Sequence, residues 1–227
     1  MLTHRNDNTL LQHFCTGALV SSRDVLTSQH CMLNKDEERI RVLIGSSDWR
    51  LARVYKILWW FGYESWARLF RVPILHSVND IAVIRLSRNV SDDIRPGILT
   101  TPSNTDLVNL DVWLAGWGKK ENGQNPIIMD VVQVQVISKA ECENRVGTLR
   151  GQQVTFEDNM FCTATNPFAL VHQGDSGGPV IYNNMIVGIT KGTCPFPDVY
   201  IHPEKINVHF GIANYISFIM SIIREIP

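Results

Sequence analysis

The chain has 227 residues, with 21 Lys plus Arg against 22 Asp plus Glu and a formal net charge of −1. This balance argues against a protein held to nucleic acid, or to an anionic membrane surface, by an excess of basic residues. Hydrophobic residues make up 44% of the chain and charged residues 19%, which excludes disorder as a global description.

Short apolar segments separated by turn residues run through the first half of the chain. They predict the following strands: a strand pair in residues 10–20 around Thr16-Gly17, a short strand before His30, and single strands at 40–45, 54–61 and 81–86. The charged segment 35–39 predicts a solvated loop. Residues 100–106 are the best linker candidate and divide the chain into two strand-rich parts, 1–105 and 106–227.

The second half shows the same pattern until its last residues. Strands are predicted at 112–116, 131–137, 180–182 and 185–189, the last two joined by the turn pair Asn183-Asn184. Apolar residues recur at helical spacing only in segment 211–225, which is therefore the one clear helix predicted. Many short strands at this spacing indicate an all-β sandwich or barrel.

The five cysteines contain no Cys-x-x-Cys pair, so zinc and thioredoxin-type sites have no support, and we expect no metal and no cofactor. An odd count leaves at least one thiol unpaired. No run of 18 apolar residues is present, so we expect no membrane span. The first seven residues lack an apolar signal-peptide centre, although paired cysteines would require an oxidising compartment.

The strongest local motif is Gly174-Asp175-Ser176-Gly177-Gly178-Pro179. Glycines around one serine allow a sharp bend that exposes the hydroxyl and directs backbone N–H groups to one point. A nucleophilic serine needs both, with Gly174 and Ser176 as the natural N–H donors to an oxyanion. The alternative is an ordinary glycine-rich turn capped by Asp and Ser.

A nucleophilic serine also needs a base oriented by a carboxylate. His30 follows a short apolar strand, and Asp80 precedes the strand at 81–86. Each residue alone is consistent with a structural role, as a loop histidine and a turn aspartate.

Taken together, the motifs resemble the trypsin/chymotrypsin-type serine peptidases. The matching segments follow the order of that family: Leu26-Thr27-x-x-His30-Cys31, Asn79-Asp80-Ile81-Ala82, Ala115-Gly116-Trp117-Gly118, Asn159-Met160-Phe161-Cys162 and residues 174–179. The resemblance implies two antiparallel six-stranded β-barrels with a C-terminal helix and a catalytic cleft between the barrels. It implies His30 as general base, Asp80 as orienting carboxylate and Ser176 as nucleophile, with an oxyanion hole from Gly174 and Ser176.

The same resemblance implies a secreted, monomeric endopeptidase acting on proteins or peptides through an acyl-enzyme. Protein inhibitors are a second class of partner that the family allows. It also implies disulfides Cys15–Cys31 and Cys142–Cys162. Cys194 matches a half-cystine whose partner position is His172 here, so we expect its thiol to be free.

The chain departs from the family in two respects that bear on activity. Family members pair the aspartate before the serine, here Asp175, with a newly cut amino terminus, and no matching segment precedes Phe14. We therefore expect Asp175 to protonate or swing away, turning the N–H of Gly174 from the cleft. The segment expected to bind substrate, residues 188–200, is shorter than in the family. Family members have a serine here that contacts the triad carboxylate, and Thr190 could take its place.

Two residues are expected in the specificity pocket. Leu170 stands at the pocket floor and favours apolar P1 residues, whereas Asp198 would attract a basic residue or narrow the pocket. The sequence does not decide between them. These departures keep open the alternative of a non-catalytic peptidase homologue that binds or regulates a partner.

Overall fold

A computed structural model describes residues 1–5, 11–120, 122–196 and 202–225 of the chain. These residues form two largely antiparallel sheets and three α-helices. None of the helices in the described part of the chain is long and apolar enough to cross a membrane.

The first sheet forms the N-terminal barrel. Its strands, in chain order, are β1 (Leu2–Arg5), β2 (Leu11–Cys15), β3 (Ala18–Leu19), β4 (Asp24–Thr27), β5 (Ile40–Ile44), β6 (Arg53–Gly62) and β7 (Ala82–Leu86). The spatial order is β2-β1-β5-β6-β7-β4-β3. Only Thr16 and Gly17 separate the two edge strands β2 and β3 along the chain, so this one bent segment brings the sheet back to its own start.

The second sheet forms the C-terminal barrel. Its strands are β8 (Ile98–Leu99), β9 (Asp111–Gly116), β10 (Asp130–Ile137), β11 (Met160–Ala164), β12 (Pro179–Tyr182), β13 (Met185–Cys194) and β14 (Ile206–Gly211). The order is β12-β9-β10-β11-β14-β13, and β12 also pairs with β13, which closes a six-stranded antiparallel barrel. The short β8 joins β13 in parallel. The predicted all-β barrel fold with a C-terminal helix is confirmed, while the division of the chain at residues 105 and 106 stays a prediction.

The C-terminal helix begins later than the sequence predicts. In segment 211–225, Gly211 is the last residue of β14 and Ile212–Asn214 form a 3₁₀ turn. The helix α3 spans Ile216–Glu225. Its buried side chains join those of both barrels in one hydrophobic cluster, with Leu26 and Val83 from the first and Ile189 from the second. The helix therefore packs across the region where the two barrels meet.

Two helices are not predicted from the sequence: α1 (Tyr63–Phe70) and α2 (Lys139–Arg150). The helix α2 lacks a broad apolar stripe, because it buries only Cys142 and Val146. Its ends nevertheless carry signals. The Ser138 hydroxyl caps the N–H of Glu141, and Gly151 ends the helix in the left-handed conformation with φ 66°.

Candidate active site

His30 and Asp80 lie at the ends of two adjacent strands of the N-terminal barrel. The short 3₁₀ helix Gln29–Cys31 follows β4 and carries His30, and Asp80 lies just before β7, the strand that pairs with β4. The His30 Nδ1 lies 2.6 Å from Oδ2 of Asp80, and the His30 backbone N–H donates to Oδ1 at 2.8 Å. Two contacts to one carboxylate hold the imidazole in a single orientation.

The charge state of Asp80 follows from its surroundings. Burial alone would raise the pKa of Asp80, but the hydrogen bonds and charge of His30, together with the charge of Lys191, bring that pKa below its ordinary value. The Lys191 Nζ lies 3.7 Å from Oδ2 of Asp80. The group that orients His30 is therefore an ionised carboxylate at neutral pH.

Tight packing between the two barrels shapes the loop that carries Ser176. Gly177 has φ +81°, and a Cβ there would collide with Oγ1 of Thr27 and with the carbonyl oxygen of Thr16. The Thr16 N–H donates to the carbonyl of Ser176 at 2.9 Å. Only glycine therefore fits beside the serine at this close approach.

The structure brings Ser176, His30 and Asp80 together at one cavity. The Cys31 Sγ lies 3.8 Å from both Nε2 of His30 and the carbonyl oxygen of Ser176, which places the histidine beside the serine loop. The Ser176 hydroxyl, however, donates to the backbone carbonyl of Lys191 at 3.0 Å. The hydroxyl would have to rotate toward His30 before that base could remove its proton.

The backbone carbonyl groups of Gln173 and Gly174 are hydrogen-bonded, whereas the N–H groups of this loop are not all bonded. The carbonyl of Gly174 accepts the Thr16 hydroxyl at 2.8 Å and lies 3.1 Å from Nε2 of His13. The carbonyl of Gln173 accepts the N–H of Lys119. Within the described residues, neither the N–H of Gly174 nor that of Ser176 has an acceptor, and their assignment as the oxyanion hole stays a prediction.

The expectation that Asp175 swings away is wrong. Its carboxylate accepts the N–H of Gly118 at 2.7 Å and the N–H of His172 at 2.9 Å. These bonds hold the side chain in place without a cation, because each satisfies a carboxylate oxygen. Burial nevertheless raises the pKa of Asp175. It lies at a cavity of about 330 Å³ that Leu170 and His172 also line.

Sequence reasoning missed the part that Lys191 plays. The Thr190 side chain does not take the place of the serine that touches the triad carboxylate, since its hydroxyl lies 3.2 Å from Nδ1 of His209. That histidine is fully buried, and its other ring nitrogen lies 2.9 Å from the Thr163 hydroxyl. Burial lowers the pKa of His209 to about 3, so the ring is neutral. The side chain beside Asp80 is instead that of Lys191, which no local motif marks.

The structure describes one of the two residues expected in the specificity pocket. Leu170 is half-buried and lines the cavity beside Asp175 rather than the cavity at Ser176. Asp198 lies outside the described residues. The assignment of both residues to the specificity pocket stays a prediction.

The structure contains both expected disulfides, Cys15–Cys31 and Cys142–Cys162. Cys194 is a free, half-buried thiol, and burial raises its pKa. Ligand atoms of Cys15, His30 and Cys31 come within 4.8 Å of one another. The two sulfurs are bonded to each other, so this group offers no thiolate to a metal ion.

Comparison with known proteins gives one consistent result. The family model described as Trypsin matches residues 1–219. The alkaline trypsin B of Manduca sexta is 32% identical over 84% of this chain and 73% of its own length. The tryptase of Mus musculus is 28% identical over 95% of this chain and 80% of its own length. Among solved structures, neuropsin, a serine protease from mouse brain, superposes with a TM-score of 0.74 at 23% identity, covering 98% of this chain and 93% of that chain.

Proposed function

The chain belongs to the trypsin family of serine proteases, and on that premise we propose that it is an endopeptidase that hydrolyses peptide bonds through an acyl-enzyme on Ser176. The observation that carries the proposal is the carboxylate–imidazole pair at 2.6 Å, beside a serine loop with two unoccupied N–H donors.

In the proposed mechanism, His30 removes the proton of the Ser176 hydroxyl as this oxygen attacks the substrate carbonyl. The ionised Asp80 stabilises the imidazolium that forms, and the N–H groups of Gly174 and Ser176 bind the oxyanion. His30 then protonates the leaving amine. Water attacks the acyl-enzyme by the same route and releases the acid product.

A fluorophosphonate probe tests the proposal, because it labels only an activated serine. We expect the probe to label the unmodified chain at Ser176, as mapped by peptide mass spectrometry. The Ser176→Ala variant should not be labelled, and Ser217→Ala, on α3, should be labelled like the unmodified chain. Absence of labelling in the unmodified chain would contradict the proposal and favour a non-catalytic homologue. Labelling that persists in Ser176→Ala would mean that another serine is the nucleophile.

A further inference from the structure

Two cavities meet at the loop that carries Ser176. The first, of about 520 Å³, is lined by Ser176 and His30, and the second, of about 510 Å³, by Phe14 and Lys35. Gln173 lines both of them. The two cavities therefore adjoin at Gln173 and are together named the Ser176 groove here, with Ser176 in the first cavity.

The first cavity is positively charged. Its lining includes Lys191 and Arg150, and its only carboxylate within the described residues is Asp80, which lies 2.6 Å from His30. The Lys191 side chain is 38% exposed although it also lies 3.7 Å from Asp80. Arg150, at the end of α2, is exposed and has no acidic partner in the described part of the chain. Both cations can therefore reach a group bound in the cavity.

The second cavity has the same sign of charge. Its lining includes the exposed residues Lys35 and Lys119. The Lys35 ammonium lies over the ring of Phe14, 5.0 Å from its centroid, and Lys119 has no acidic partner among the residues described. The carboxylate in this lining, Asp36, is 3.2 Å from Arg39.

This arrangement does not result from a basic chain, because the formal net charge is −1. Cations line the groove in both cavities, and each of the two carboxylates in this lining already lies beside a cation, Asp80 beside Lys191 and Asp36 beside Arg39. Such a groove attracts anionic groups and disfavours cationic ones, since like charges brought together destabilise a complex.

We propose that the Ser176 groove selects acidic peptides, with Asp or Glu side chains both in the cavity at the serine and in the adjoining cavity beyond Gln173. The inference rests on the proposed function in one respect, since it takes this groove as the peptide site. Lys191 and Arg150 bind the acidic side chains in the first cavity, and Lys35 and Lys119 bind those in the second.

Peptide binding to the Ser176→Ala variant tests the inference without requiring turnover. Two fluorescein-labelled peptides of equal length, one with Glu and the other with Gln at the positions flanking the central residue, are compared by fluorescence anisotropy. At an ionic strength of about 0.02 M we expect the Glu peptide to bind at least about fivefold more tightly, and the difference to shrink at about 0.3 M as salt screens the charges.

Charge variants locate the effect. Adding Lys119→Gln and Arg150→Gln together removes one cation from each cavity and should clearly lower the ratio of the two dissociation constants. Lys56→Gln removes one charge from an exposed position on β6, outside both cavities, and should leave the ratio unchanged. Equal binding of the two peptides, binding of neither, or a ratio that survives the double substitution would each overturn the inference.

The two proposals fail separately. A chain that reacts with fluorophosphonate but does not prefer the Glu peptide retains the proposed function and loses this inference. A chain that prefers the Glu peptide but does not react loses only the proposed catalysis. Asp198, which lies outside the described residues, is replaced by Asn in a parallel variant. A Glu preference that appears only in that variant also overturns the inference for the native chain.

Discussion

Two aspartates near Ser176 show how one side-chain type acquires different properties from its neighbours. Asp80 is buried and Asp175 is half-buried. The cationic neighbour Lys191 and the bonds from His30 lower the pKa of Asp80, whereas burial with only backbone donors raises the pKa of Asp175. The first aspartate is therefore suited to stabilise an imidazolium, and the second lowers stability when it ionises.

At Asp80 we predict that Asp80→Asn lowers kcat by about 10⁴-fold, because the amide leaves the imidazole in the wrong tautomer. The Asn side-chain oxygen can still accept the backbone N–H of His30, so the fold should persist. Steady-state hydrolysis of a peptide substrate measures the loss. The matched control is Asp92→Asn, at an exposed position. An unchanged kcat in Asp80→Asn would contradict the assignment of Asp80.

At Asp175 we predict a pH dependence of the free energy of unfolding. The folded-state pKa lies above the ordinary value, so between the two values the folded chain binds more protons than the unfolded chain. The free energy of unfolding should therefore fall as pH rises through that window. Asp175→Asn should remove this part of the slope when urea unfolding is followed as pH rises from about 4, the ordinary pKa of an aspartate. Asp92→Asn should retain it, and equal slopes in Asp175→Asn and the parent would refute the prediction.

At the scale of elements, one buried ion pair ties α3 to the N-terminal barrel. The Arg85 Nε, on β7, lies 2.9 Å from Oδ1 of Asp24 on β4, with side-chain exposures of 1% and 2%. The same guanidinium donates to the carbonyl of Ile222 at 2.9 Å and lies over the ring of Trp59. One side chain thus joins two strands to the last turn of the helix.

We predict that Asp24→Leu costs about 3–5 kcal/mol in the free energy of unfolding, since it leaves the charge of Arg85 buried and without its carboxylate. Arg85→Met should cost a similar amount by leaving the Asp24 carboxylate uncompensated. The double variant should cost clearly less than the sum of the two. Urea unfolding of all four proteins measures the coupling, and additive effects would show that the pair does not act as a unit.

The local sequence signals of the elements have unequal strength. Most strands of both barrels are alternating or apolar segments bounded by turn residues, and the sequence predicts these. The strands β1, β8, β11 and β14 are not predicted. The helix α1 lies within an aromatic run that also fits a strand. It becomes helical where Tyr63 and Trp66 pack against Tyr215 and Phe218 of the C-terminal segment. That contact spans about two thirds of the chain, so no local pattern can reveal it.

At the scale of the whole molecule, the cavity beside Asp175 bears on activity. In the family that the chain belongs to, an inserted amine pairs with the corresponding aspartate. Here Asp175 lies at a cavity of about 330 Å³ and has no cationic partner among the described residues. A bound amine would neutralise the carboxylate that supports the loop between Gly174 and Ser176.

We predict that the dipeptide Ile-Val raises peptide hydrolysis by the 227-residue chain, by up to about 10²–10³-fold if one oxyanion donor is out of place without it. Initial rates at increasing dipeptide concentration measure the effect. Acetyl-Ile-Val is the matched control, because it lacks the charged amine and should have no effect. Equal rates with both compounds, or full activity without either, would refute the prediction.

The sequence by itself predicted the family, the barrel fold and both disulfides through the resemblance of its short motifs to those of known serine peptidases. The same resemblance names the candidate triad, whose residue types serve a chemical role. The placement of Lys191, which brings an ammonium beside Asp80 and a carbonyl to the Ser176 hydroxyl, was decided only by the tertiary structure. Only the tertiary structure also decided that the backbone N–H groups of Gly118 and His172 hold the Asp175 carboxylate in place. The physical reason is that charge and hydrogen-bond partners act over a few ångströms in space, between segments that lie far apart along the chain.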